Sequence, residues 1–206
     1  LLISRTNEMF FSTVQGCLIR GRRLPSGNWQ WTSSRPAGPS VWAVDAGGEI
    51  WRLTTGGRLW RMTGPQPVRV EIPEAAGLIN HMTADAAGRL WLGTEHQLLM
   101  QTGGQFQAVP PPASESELSV AEIFPARNGA LWVAANEKLW KWEDGDWRLN
   151  AGPWPVRQPP MRMLLEDSEG NLWFSQYGAG LLLLNSDGQR LTGTPRHGLP
   201  DDRVRC

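Results

Sequence analysis

The run Glu166-Asp167-Ser168-Glu169-Gly170-Asn171-Leu172-Trp173-Phe174 carries a tight turn and the start of an apolar strand. An aspartate that can bond its own downstream backbone begins the turn, and a glycine supplies a positive φ within it. A large aromatic then follows at a fixed distance. The same arrangement recurs upstream. Ile50-Trp51, Leu90-Trp91 and Leu131-Trp132 match Leu172-Trp173, with Trp spacings of 40, 41 and 41 residues. Two residues before each pair stands Gly48, Gly88, Gly129 or Gly170, and Asp45, Asp85 and Asp167 lie three residues further back. Ala126 takes the aspartate's place in the remaining unit. One more step of the period reaches Met9-Phe10, where Leu1 to Ser12 aligns without gaps on Leu164 to Ser175 and Asn7 replaces the glycine.

Each period reads as four short strands. In the last, Met161 to Glu166, Asn171 to Gln176, Leu181 to Asn185 and Gln189 to Thr194 are separated by Gly-rich or Asp-Gly turns. Apolar runs flanking such turns are strong hairpin signals, and no segment shows a capped helical period. Four antiparallel strands about every 40 residues predict an all-β chain of β-propeller blades. The blade units run about 1–40, 41–80, 81–121, 122–161 and 162–202, and 203–206 begin a further inner strand. A single blade buries little, so Trp51, Trp91, Trp132 and Trp173 are expected to wedge between blades. Truncating such a wedge costs roughly 3–5 kcal/mol. The start, without an initiator Met or signal pattern, predicts a piece of a larger, seven-bladed propeller. Cut out of it, five blades form an open arc whose unpaired edges favour pairing with another chain, as in a dimer; alternatively, Arg203 to Cys206 pair beside the first blade and close a five-bladed ring.

Composition narrows the function. The 206 residues hold 20 basic and 20 acidic side chains, so no basic surface for nucleic acid is expected. No apolar run approaches a membrane span. Cys17 and Cys206 give neither a metal spacing nor a disulfide framework. His81, His96 and His197 fall at unrelated phases of the repeat, and no nucleophile elbow or phosphate-binding loop occurs. The chain is therefore expected to be non-catalytic, with no metal and no cofactor.

The units resemble the two-component regulator propeller repeat. The resemblance rests on Asp167 to Phe174 with Gly180-Leu181, on Asp85-Ala86-Ala87-Gly88-Arg89-Leu90-Trp91, and on the blade entry Gly198-Leu199-Pro200 to Val204. It implies a periplasmic ligand-sensing propeller of a bacterial signalling receptor, joined through a membrane helix to a kinase or diguanylate cyclase output domain. The Gly-Asn-Leu-Trp-Phe run also resembles repeats of the streptogramin lyase propeller, which works with a His and bound magnesium. A protein-docking scaffold is the third alternative.

Blade-linking loops and the turns between second and third strands are expected to share one face, the usual ligand mouth of a propeller. Arg35, Trp154, Arg157, Arg196 and His197 would reach it from linking loops, and His96 and Tyr177 from the short turns. Three arginines there favour an anionic ligand, while Trp154 suits a carbohydrate or peptide. Trp42, on an innermost strand, is expected to face either the central channel or the next blade. The other tryptophans, Trp29, Trp31, Trp60, Trp140, Trp142 and Trp147, read as strand packing.

Overall fold

A computed structural model describes residues 2–3, 8–12, 17–34, 38–62, 66–151, 161–176, 180–185 and 190–193. They form twenty strands in five four-stranded sheets, each ordered as in the chain. The first sheet holds β1 (Leu2–Ile3), β2 (Glu8–Ser12), β3 (Leu18–Arg23) and β4 (Trp29–Ser34). The second holds β5 (Ser40–Val44), β6 (Ile50–Thr54), β7 (Leu59–Arg61) and β8 (Val68–Val70). The third holds β9 (Ile79–Ala84), β10 (Leu90–Thr94), β11 (Leu98–Thr102) and β12 (Gln105–Val109). β13 (Val120–Pro125), β14 (Leu131–Ala135), β15 (Lys138–Glu143) and β16 (Asp146–Ala151) make the fourth. β17 (Met161–Glu166), β18 (Leu172–Gln176), β19 (Gly180–Leu184) and β20 (Arg190–Gly193) make the fifth. These are propeller blades, and the sole helical turn among the described residues is the short 3-10 segment Glu74–Ala76. The chain divides into two compact units, Leu1–Pro125 and Ala126–Cys206.

In the first unit the wedge expectation holds. Trp51, 1% exposed, packs with Leu53 and Leu59 of its own sheet against Ile79, Met82 and Leu92 of the third. Its ring meets Phe106 edge-on at 5.9 Å. Phe10 does the same work one period earlier, buried with Leu18 against Trp42 and Val44. Trp42 is thus a core residue at the junction of the first two sheets, and the channel-facing, ligand-binding option for it is corrected. Trp42 and Arg52 are cross-strand partners, which puts both on the face of the second sheet opposite Trp51. In the second unit, Trp132 and Trp140 are buried, with Lys141 lying over the Trp132 ring. Trp147 packs against both Trp140 and Trp142. Trp29 and Trp31 stack on each other along β4, whose six residues are all exposed.

The aspartate of each motif does more than close a turn. One oxygen of Asp45, Asp85 and Asp167 accepts backbone N–H groups two and four residues on, all at 2.9 Å. The other oxygen accepts the indole N–H of Trp51, Trp91 and Trp173, again at 2.9 Å. Turn and wedge are therefore locked by one carboxylate, which satisfies the indole donor that burial would otherwise leave unpaired. Gly88 shows why the motif keeps glycine: its φ is +78°, and an added Cβ would fall 2.5 Å from the Ala46 Cα.

Asp167 makes this lock sensitive to acid. The Trp173 indole first, then the Asn171 side chain, hold its carboxyl down from the ordinary 3.8 to about 2. A carboxylate that is harder to protonate when folded stabilises the fold above its unfolded value and loses that effect as pH falls through the folded one. The melting-temperature gap between the wild type and Asp167→Asn should therefore narrow between about pH 5 and about pH 2. Circular-dichroism melts across that range check it, and a gap independent of pH would show the lock to be uncharged.

Candidate functional site

The third repeat shows how the mouth is built. β10 ends at Thr94, and the turn to β11 is closed by Thr94 Oγ1, which donates to the Gln97 carbonyl at 2.8 Å and accepts its N–H at 3.0 Å. The preceding blade-linking segment bonds to this turn. Glu95 N–H donates to the Leu78 carbonyl at 3.0 Å, His96 N–H to the Ala76 carbonyl at 3.2 Å, and Leu78 N–H to the Glu95 carboxylate at 3.0 Å. The following linking segment bonds to it as well, through Leu118 N–H and the His96 carbonyl at 3.0 Å. The two kinds of loop thus share one face here. His96 stands where they meet.

Beside it lies an open pocket of about 540 Å³ lined by His96, Gln97, Pro110, Pro111, Glu117 and Leu118. His96 Nδ1 is 3.4 Å from the Glu117 carboxylate, and both side chains are half or more exposed. Gln97 Oε1 is buried and has no hydrogen-bond partner among the described residues. With a carboxylate close by, the pocket suits a ligand that donates hydrogen bonds, set against the proline and leucine wall. Pro110-Pro111-Pro112 fixes φ along that wall, which lowers the cost of ordering it.

Of the side chains expected at the mouth, His96 is there and Trp42 is in the core. Arg35, Trp154, Arg157, Tyr177, Arg196 and His197 lie outside the described residues. Gln97 and Glu117 were not foreseen, because a glutamine in a short turn and a glutamate in a Ser/Glu-rich loop carry no periodic signal. A second opening lies on the second repeat, between the linking residues Gly38 and Pro39 and the β6–β7 turn, and takes in Arg52, Arg58 and Trp60. No cluster of His, Cys, Asp and Glu able to hold a metal occurs among the described residues. No helix of the described chain is long and apolar enough to cross a membrane.

No protein-family model and no curated protein matches the sequence. Solved structures do share its fold. The extracellular domain of a one-component system from B. thetaiotaomicron is 14% identical over 98% of this chain and 29% of its own length, with a TM-score of 0.64. The extracellular domain of a hybrid two-component system from the same organism is 15% identical over 98% and 28%, also at 0.64. Virginiamycin B lyase from Staphylococcus aureus is 18% identical over 94% and 71%, at 0.60. The chain spans less than a third of the two extracellular domains. It is a β-propeller module with the fold found in extracellular domains of bacterial signalling systems.

Proposed function

We propose that the chain is the ligand-sensing part of an extracytoplasmic propeller in a bacterial signal-transduction receptor, located in the periplasm and itself non-catalytic. The observation that carries this reading is the pocket at His96, where a short turn is bonded to two blade-linking loops. A ligand held there touches both loops, so binding couples neighbouring blades, as a sensor requires. The likeness to extracellular domains of one- and two-component systems supports the same reading.

Further blades of the parent protein are the natural partners. Phe11 and Trp31, 37% and 50% exposed, lie on the face of the first sheet that corresponds to the Trp42 face of the second. On the second sheet that face meets a blade. An additional blade would cover Phe11 and Trp31 in the same way, and the output domain would follow elsewhere in the chain.

The reading is tested by thermal-shift titration with neutral mono- and disaccharides and amino acids. A binding solute should raise the melting midpoint, with the rise lost in His96→Ala and in Glu117→Ala. Incubation with virginiamycin B and magnesium should give no ring-opened product. Turnover that disappears in His96→Ala would replace the receptor with an enzyme.

A further inference from the structure

Arg52 breaks the rule of its own repeat. The residue after the wedge aromatic is Phe11, Leu92, Val133 and Phe174 in the other four units. Leu92 and Val133 are fully buried and Phe174 is 3% exposed. The fold therefore asks for an apolar side chain at this point, and the second repeat supplies a half-buried arginine. A charge taken partly out of water costs free energy unless it is paired. Nearby carboxylates pair with other arginines: Glu8 with Arg20, Glu49 with Arg61, Glu71 with Arg69 and Asp85 with Arg89. Among the described residues Arg52 has no ion pair.

What Arg52 has instead is orientation. Its Nε–H donates to Ser40 Oγ at 2.9 Å, and the Ser40 hydroxyl donates to the Gly38 carbonyl at 3.1 Å. Its guanidinium carbon lies 5.8 Å from the centre of the Trp42 ring. Nε and one face are thereby occupied, which leaves the two terminal amino groups for a ligand. Arg52 lines an opening of about 440 Å³ together with Arg58, Thr54, Thr55 and Trp60, and among the described residues no acidic side chain joins them. Arg58 also has no ion pair among the described residues. Its position is set by the turn, where Thr54 N–H donates to the Arg58 carbonyl at 3.0 Å and Gly57 N–H to the Thr54 carbonyl at 2.9 Å.

We infer that this cleft of the second repeat is an oxyanion site, taking a small carboxylate, phosphate or sulfate ligand between Arg52 and Arg58, with Trp60 against the ligand's body. Carboxylate is the best fit, because a guanidinium's terminal N–H groups match its two oxygens in one plane. The inference goes beyond the receptor reading by naming a second site on the loop face, with a ligand class of its own. It stands on side chains separate from the His96 pocket.

Calorimetric titration at low ionic strength with glucuronate, phosphate and sulfate tests it, with glucose as the uncharged counterpart of glucuronate. At least one oxyanion should bind about tenfold or more tightly than glucose. That affinity should fall by about tenfold or more in Arg52→Leu and in Arg58→Ala. Arg69→Ala, which removes an exposed arginine already paired with Glu71, should leave it unchanged. Binding of glucuronate assigns a carboxylate ligand, and binding of phosphate or sulfate alone assigns a tetrahedral one. Arg52→Leu restores the residue type of the other repeats and should melt no lower than the wild type. Should it fail to fold, the exposed turn residue Arg58 decides the matter alone. Absence of oxyanion binding to the folded wild type, or binding that survives both substitutions, would overturn the site. Binding lost in His96→Ala but kept in Arg52→Leu would overturn it while leaving the receptor reading intact.

Discussion

Trp91→Ala is expected to cost about 3–5 kcal/mol in urea-unfolding experiments, the largest effect of any single tryptophan in the first unit. Trp91 is 0% exposed, on a strand whose five residues are all buried, so little can collapse into the space it leaves. The loss is also polar. Asp85 Oδ2 receives the indole N–H at 2.9 Å and the Arg89 Nε–H at 2.6 Å, while Oδ1 holds the backbone of Ala87 and Arg89. Asp85 is itself only 7% exposed, so a lost donor is not replaced by bulk water. Trp91→Phe separates the two contributions. It keeps most of the ring and removes the donor, and should cost about 1–3 kcal/mol. Trp29→Ala is the control, since Trp29 is 37% exposed on the outermost strand of its sheet. A surface truncation of that kind should stay within about 0.5 kcal/mol. Equal losses at Trp29 and Trp91 would refute the wedge.

These contrasts also mark how far the sequence could be read. A wedge tryptophan and its Asp-x-x-Gly turn lie within six residues of each other and recur with the period, so spacing alone identified them. Phe10 could be placed in the same role for the same reason. Trp42 was ambiguous because strand alternation assigns a residue to a face without saying what covers that face. The cover turned out to be Phe10 and Leu18 of the first sheet. The mouth was legible only as a class of loops. Its bonds join turn residues to backbone groups on two different linking segments, and no local pattern encodes such a contact. Arg52 was the readable signal passed over: a charged residue in a column otherwise filled by Phe, Leu, Val and Phe. Periodicity draws attention to positions that agree, whereas binding sites tend to sit where a repeat departs from its own rule.

The fourth repeat makes such a departure and repairs it. Ala126 leaves Trp132 without the aspartate that its counterparts use, yet the Trp132 ring is 6% exposed and its indole N–H needs an acceptor. Glu166 provides it: Oε2 accepts the Trp132 indole N–H at 3.2 Å and the Arg127 backbone N–H at 3.0 Å. A residue of the last strand-turn motif thus stands in for a missing one 34 positions away from the tryptophan. Glu166→Ala should therefore destabilise the second unit by about 1–3 kcal/mol, the cost of stranding a buried donor. Ala126→Asp places a carboxylate six residues before Trp132, the separation by which Asp45, Asp85 and Asp167 reach their own indoles. In the Glu166→Ala background this second change should recover most of the loss. In the wild type it should recover nothing and can cost stability, because two carboxylates would then crowd one indole donor. The four proteins form a double-mutant cycle readable by urea denaturation. Additive effects of the two substitutions would show that Glu166 and residue 126 do not serve the same tryptophan.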